Sequence, residues 1–328
     1  MQKPGENSFV RICGIGSYLP ERIVTNRDLE ETLDTTDEWI FSHTGIRERR
    51  ICSPDESASS MGIIAARRAL EDSGVSADEL CLVLASSSTG DYVSYPATAA
   101  LIQDGIGAVN AGACDISAAC TGFCYSVALG RSYCLLHHRP VLIVSTEVNS
   151  RMVDWHDRST SVLFGDGAGA VVLVPSGEPG IIDDFLGADG SGARLLTREG
   201  GASTEEQSRL PVGHLKMEGK AVFQFAVKTM EKVIRELLSR NGVRLEDVNH
   251  LIPHQANGRI LTAVARSMGI PQERFYQNLG SVANTSSASI PIALSQMSSE
   301  GILRKGDLVL TVAFGAGLLY GGTLFRWK

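Results

Sequence analysis

Ala69-Leu-Glu-Asp-Ser-Gly-Val-Ser-Ala-Asp-Glu-Leu-Cys-Leu-Val-Leu84 reads as a helix end, a glycine stop, an acidic turn and a strand. The stretch Leu237-Leu-Ser-Arg-Asn-Gly-Val-Arg-Leu-Glu-Asp-Val-Asn-His-Leu-Ile252 reads the same way. Gly74 falls on Gly242, Glu79 on Asp247 and Leu84 on Ile252, all at an offset of 168. Glycine suits the left-handed residue after a helix, and the apolar runs that follow suit buried strands.

The repeat extends outward from this pair. Cys120-Thr121 matches Asn284-Thr285, each opening an apolar helical pattern, and Pro140–Thr146 matches Asp307–Ala313 as a strand. Phe164-Gly-Asp-Gly-Ala-Gly169 takes Phe314-Gly-Ala-Gly317 as its partner. Strand–helix alternation in each half predicts two α/β units, residues 1–181 and 182–328, packed about a pseudo-twofold axis. Ile182 to Gly219 reads as the linker between them. Lys216 to Glu236 has apolar residues at helical spacing, from Val222 and Phe223 to Ile234.

Composition narrows the class. The 328 residues are 43% apolar and 20% charged, as in globular enzymes, and suit two domains or a duplicated unit. A net charge of −7 gives no case for nucleic acid or an anionic membrane. The longest apolar runs are too short to span a bilayer, and Met1–Arg11 lacks the apolar core of a signal peptide. Seven cysteines, an odd number without metal-ligand spacing, point to a reducing compartment and to no bound metal. Cys114, Cys124 and Cys134 read as core residues. His137, His138, His156, His214 and His250 read as solvated or packed.

Cys120 lies in Asp115-Ile-Ser-Ala-Ala-Cys-Thr-Gly-Phe123, where a strand ends and a helix begins. The helix start favours the thiolate, the nucleophilic form of sulfur. A small buried core residue is the other reading of the same position. The repeat places Asn284 opposite Cys120, and it places His254 at the C-terminal end of a strand, where α/β folds hold ligands. Cysteine supplies a covalent acyl carrier. Histidine and asparagine supply two neutral donors, which suit an enolate formed by decarboxylation and set no fixed negative charge beside it. Backbone N–H groups at Cys120 and Ala316 suit the oxyanion of a tetrahedral intermediate, at roughly 3–4 kcal/mol per donor.

The chain resembles the β-ketoacyl-acyl carrier protein synthase III family of the thiolase superfamily. The matching runs are Thr36-Asp-Glu-Trp-Ile40, Thr44-Gly-Ile-Arg-Glu-Arg49, Ala118-Ala-Cys-Thr-Gly-Phe123, Phe164-Gly-Asp-Gly-Ala-Gly169, Pro253-His-Gln-Ala-Asn257 and Asn284-Thr-Ser-Ser-Ala-Ser-Ile-Pro291. The resemblance implies a duplicated five-layered α-β-α-β-α thiolase fold and a cytoplasmic homodimer without a resident cofactor. It implies that an acyl group passes from coenzyme A to Cys120. Malonyl-acyl carrier protein then loses CO2 and attacks that thioester, with His254 and Asn284 holding the enolate.

The same resemblance assigns Trp39, His43, Arg158 and Asn257 to coenzyme A. It assigns Arg259 and Arg266 to carrier-protein docking, and Tyr95, Phe164 and Phe314 to the acyl pocket, Tyr95 reaching in across the dimer interface. Arg47 is expected to be buried against a carboxylate. Three positions depart from the family pattern: His43 replaces an arginine, Gln224 a lysine and Ala283 a glycine. A same-fold condensing enzyme or acyltransferase of secondary metabolism is the alternative. A catalytically silent carrier-binding subunit would not need Cys120, His254 and Asn284 together.

Overall fold

The computed structural model describes residues 8–200 and 212–328. The first sheet holds β1 (Phe9–Tyr18), β2 (Leu82–Ser86), β3 (Gly112–Ile116), β4 (Val141–Glu147) and β5 (Gly167–Ser176), in the order β1-β5-β4-β2-β3. The second holds β6 (Ile181–Ala188), β7 (His250–Pro253), β8 (Leu308–Gly315) and β9 (Leu319–Arg326), in the order β7-β8-β9-β6. Pairing sense matches as well: β4 runs parallel to β2 and antiparallel to β5, as β8 does to β7 and β9. A single parallel bridge from Leu251 to Phe275 stands where the first sheet has β3.

Five layers follow from which helix touches which sheet. Helices α2 (Ala58–Ser73) and α3 (Thr98–Gly105) cover the outer face of the first sheet. Helices α4 (Gly122–His137) and α7 (Ser289–Ser299) lie between the sheets. Helices α5 (Gly219–Arg240) and α6 (Gly258–Met268) close the far side. The middle helices are apolar nearly all round because both of their faces are covered; α5 is amphipathic because one face meets water. The expected α-β-α-β-α thiolase-like fold is therefore present.

The duplication is legible in detail, with two corrections. Gly74 and Gly242 both adopt left-handed φ (69° and 62°), and the acidic turns Ala77–Glu79 and Leu245–Asp247 keep the offset of 168. Further on, β4 and β8 begin 167 residues apart, and so do the left-handed residues Ala119 (φ 45°) and Ser286 (φ 51°). The structural counterpart of Cys120 is therefore Ser287, not Asn284. Phe164 has no counterpart in Phe314 either. Phe314 is the last residue but one of β8 and corresponds to Glu147 on β4, whereas Phe164 sits in a long β4–β5 connection that the second half replaces by a tight turn. Small-residue runs at helix starts slide easily in a sequence comparison; strand register does not.

Other expectations change on folding. The linker read over Ile182–Gly219 opens as β6, continues into the hairpin Leu196–Arg198/Leu215–Met217, and has residues 201–211 outside the described chain. Cys124 and Cys134 are buried as expected, but Cys114 is exposed on β3, which is an edge strand. Arg47 is exposed above the Phe41 ring, 3.5 Å from Asp37. The buried arginine is Arg49, whose partners are the Val24 and Val162 carbonyls and Asn26.

Ala283 adopts φ 57°, ψ −160° and is fully buried. That backbone region is essentially reserved for glycine and costs roughly 1–3 kcal/mol for other residues. Ala283→Gly is expected to raise the thermal midpoint, by about 1 kcal/mol of stability once the added freedom of the unfolded glycine is offset. A lowered midpoint in a calorimetric scan would show that the methyl group is held by packing rather than strained.

Candidate functional site

Cys120 is delivered by a single 3-10 turn, Ala119–Thr121, between β3 and α4. The left-handed Ala119 swings the chain so that Cys120 meets Gly315 at the end of β8; a Cβ on Gly315 would lie 2.9 Å from the Cys120 backbone nitrogen. Glycine is thus required there for close approach. The Cys120 Sγ is 3.4 Å from Ser286 Oγ. The helix start was expected to favour thiolate. In the folded protein desolvation dominates, and the thiol is pushed up to about 12, against the Ser286 hydrogen bond and helped by the charge of Glu147. The unliganded nucleophile is therefore a thiol.

His254 follows β7, with its backbone N–H donating to Val312 at 2.8 Å. Its ring is buried, edge-on to Phe314 at 5.6 Å, and burial lowers it to about 3, so it is neutral. Nδ1 lies 2.8 Å from Ser289 Oγ, and that oxygen accepts from the Gln255 N–H at 3.4 Å. The serine hydrogen is then available to Nδ1, which leaves the ring proton on Nε2 as a donor. Asn284 is oriented by a comparable device. The Ser286 N–H donates to its Oδ1 at 2.8 Å, so the NH2 end remains for a ligand. Its backbone is stitched to the Phe164 segment through Leu163 and Gly165, both at 3.0 Å.

Cys120, His254 and Asn284 line one cleft of about 230 Å3, together with Trp39, His43, Arg158, Asn257, Phe164 and Phe314. Chain segments from both halves contribute, as the duplication requires. Ala316 directly follows Gly315 of the lining but is not itself part of it. Tyr95 lies outside the cleft and is 85% exposed. Arg259 and Arg266 are exposed on α6, and Arg259 Nε donates to the Ser42 carbonyl at 3.0 Å.

At the mouth, helix α1 (Asp37–Thr44) presents Trp39 with His43 stacked on it at 4.3 Å and 19°. The Arg158 guanidinium lies 4.6 Å from the same indole ring. His43 Nδ1 is 2.8 Å from the Trp39 carbonyl, which can only accept, so Nδ1 carries a hydrogen. Asn257 caps α6, its Oδ1 taking the Arg259 N–H at 2.8 Å and its Nδ2 donating to the His43 carbonyl at 3.1 Å. It thereby ties α6 to α1.

Ser286, Ser289 and Glu147 were not singled out from sequence. The Ser286-Ser-Ala-Ser289 run reads as small-residue packing at a helix start, and only the fold shows which hydroxyl faces what. The described residues contain no group of three or more His, Cys, Asp or Glu placed to hold a metal ion.

Two family models match, both described as 3-oxoacyl-(acyl-carrier-protein) synthase III: one over residues 114–190, the other, its C-terminal part, over 238–327. The β-ketoacyl-(acyl-carrier-protein) synthase III of Caldanaerobacter subterraneus is 43% identical, covering 97% of each chain. The crystal structure of the Aquifex aeolicus 3-oxoacyl-(acyl-carrier-protein) synthase III has a TM-score of 0.90 at 42% identity, covering 97% of this chain and 100% of that one. A priming β-ketosynthase from a polyketide biosynthetic pathway has a TM-score of 0.92 at 38% identity, covering 100% and 98%. With this fold, this cleft and full-length identity of this order, the chain belongs to the 3-oxoacyl-(acyl-carrier-protein) synthase III family.

Proposed function

We propose that the chain takes an acyl group from coenzyme A onto Cys120 and condenses it with malonyl-acyl carrier protein, giving a 3-oxoacyl-acyl carrier protein. The observation that carries this reading is the convergence of a thiol, a neutral Nε2–H and an oriented amide NH2 in one largely apolar cleft. Acylation forms the Sγ–C bond and expels the coenzyme A thiolate, which leaves the cleft and takes a proton from solvent. Malonyl thioester then loses CO2, and the enolate oxygen accepts from His254 and Asn284. The enolate carbon attacks the acyl carbon, and the tetrahedral adduct expels the Cys120 sulfur.

Trp39 and Arg158 form an aromatic–cation pair suited to a purine, while Phe223, Met217 and Leu196 line the cleft as apolar walls for a pantetheine arm. Arg259 and Arg266 offer positive charge on α6 to an acidic carrier protein. A homodimer is supported by β3, an exposed edge strand whose unpaired backbone groups invite a second strand. Val109, Tyr92, Val93 and Tyr95 are exposed on the segments around that edge. In such a dimer Tyr95 would enter the neighbouring cleft and limit acyl length. No helix among the described residues is long and apolar enough to cross a membrane. The seven free cysteines favour a reducing, cytoplasmic setting.

The test is intact-protein mass spectrometry with a series of acyl-CoAs, followed by malonyl-acyl carrier protein. A mass increase on Cys120 and then a β-ketoacyl product supports the reading; no acylation from any thioester overturns it. Likeness to a polyketide priming synthase favours one second reading, the same chemistry serving a secondary pathway with another primer. The preferred acyl-CoA in that series separates the two.

His43 bears on the carrier. An arginine in its place would add a permanent cation beside the indole, worth about 0.5–1 kcal/mol at an exposed site. His43→Arg is therefore expected to lower the KM for acyl-CoA roughly two- to fivefold with kcat unchanged. An unchanged KM in steady-state kinetics would remove His43 from the carrier site.

A further inference from the structure

Glu147 ends β4, is fully buried and has no place in the reaction as written above. Among the described residues no lysine, arginine or histidine is paired with it. Its two oxygens have different surroundings. Oε2 accepts twice, from the Ser88 N–H at 3.0 Å and from the Thr89 hydroxyl at 2.9 Å. Thr89 Oγ1 takes the Val148 N–H at 2.7 Å, which leaves its own hydrogen for Glu147. Oε1 meets Ser287 Oγ at 2.7 Å, and that hydroxyl also reaches the Ser86 carbonyl at 3.3 Å.

Counting hydrogens separates the two forms of the carboxyl. The Ser287 hydroxyl has one hydrogen and faces two oxygens, and the Ser86 carbonyl can only accept. If Glu147 is ionised, Oε1 can only accept as well, and one of the two goes without the Ser287 hydrogen. If Oε1 carries a proton, it donates to Ser287 Oγ, and the Ser287 hydrogen goes on to Ser86. Oε2 is then the carbonyl oxygen of an acid, filled by two donors. The neutral form gives each of these contacts its hydrogen and avoids a buried charge without a counter-ion. Burial acts in the same direction, raising the carboxyl from its ordinary value against the pull of the Ser287, Ser88 and Thr89 hydrogen bonds.

These contacts join segments that surround the nucleophile. Ser88 and Thr89 lie at the start of the connection between β2 and α3 that carries Tyr95. Ser287 stands in the 3-10 turn Ser286–Ala288, next to Ser286, which orients Asn284, and two residues before Ser289, which holds His254. Ser86 and Ser287 both press on Gly122, just past Cys120; a Cβ there would lie 2.6 Å from the Ser86 Cβ and 3.3 Å from that of Ser287.

We propose that Glu147 is a neutral carboxylic acid in the resting enzyme and a positioning residue for the site. Its O–H fixes Ser287, and with it the turn that aims Asn284 and His254 at the cleft. Its C=O holds the root of the Tyr95 connection. Neutrality suits the chemistry nearby. Acylation and condensation pass through a tetrahedral oxyanion, an enolate and a Cys120 thiolate, and an anion at this position would oppose each. The charge of Glu147 that would add to the rise of the Cys120 thiol is then absent, and desolvation carries that rise.

The positioning role rests on the acylation proposed for Cys120, whereas the neutral state does not, so two readouts are needed. At neutral pH the infrared difference between wild type and E147Q should contain the C=O stretch of a protonated carboxylic acid, shifted to lower frequency in D2O. A carboxylate band in its place overturns the neutral acid. Ser287→Ala should slow single-turnover acylation roughly 10-fold, the cost of a slightly misplaced site, with the half-saturating acyl-CoA concentration unchanged. Glu147→Gln should lose far less, since its amide also pairs an accepting oxygen with a donating nitrogen. Thermal melting checks the fold of both variants. A wild-type rate in S287A, or an E147Q as slow as S287A, overturns the positioning role. No acylation of the wild type overturns the proposed function and the positioning with it, while the infrared band still decides the state of Glu147.

Discussion

Cys120→Ala is expected to abolish the acyl-enzyme and reduce condensation by ~10⁴-fold or more, the scale on which losing a covalent nucleophile is felt. Intact mass spectrometry should find no adduct with any acyl-CoA. Decarboxylation of malonyl-acyl carrier protein should persist, because the donors that hold the enolate belong to His254 and Asn284 and not to the thiol. The variant thus separates the two halves of the reaction. Labelling of another cysteine at the wild-type rate would place the acyl group elsewhere. Cys124 and Cys134 are poor candidates, since both are buried and neither lines the cleft that holds Cys120.

His254→Ala is expected to have the opposite profile. Acylation should survive within severalfold, while decarboxylation and condensation fall by roughly 10²–10³, the loss for one pre-organised donor to an oxyanion. Rapid-quench measurement of coenzyme A release against CO2 release distinguishes the steps; equal loss of both would contradict the assigned role. Sign matters for pH. The folded-state value of His254 is about 3, below the 6.5 of the free side chain, so the ring stays neutral down to that point. Its contribution to stability is complete above about 6.5 and is lost as pH falls toward 3, because the unfolded chain takes up the proton first. Decarboxylation should accordingly show no histidine break in the neutral range.

Much of this was legible before folding. The glycine–acidic turn–strand unit at residues 74–84 and 242–252 repeats because a helix stop and a buried strand each demand particular residues, and those demands are local. His254 at a strand end followed from the same reasoning. The equivalence of Cys120 with Asn284 did not survive, because serine, alanine and threonine satisfy a tight helix start almost interchangeably and leave the alignment free to slip by three residues. Arg47 stays exposed because it precedes the short strand Glu48–Arg50, whose middle residue, Arg49, is the one that turns inward.

From sequence alone came the chemical inventory: a duplicated α/β chain, a cysteine at a turn before a helix, a histidine at a strand end and an asparagine in a small-residue run. Tertiary structure alone decided the protonation states and the partners. The Cys120 thiol is neutral because burial outweighs the helix end, His254 presents Nε2–H because Ser289 occupies Nδ1, and Asn284 presents its NH2 because the Ser286 N–H occupies its oxygen. Desolvation and hydrogen-bond direction depend on what surrounds a side chain in three dimensions. Residues such as Ser286 and Cys120, 166 positions apart, meet only when two halves close on a common cleft.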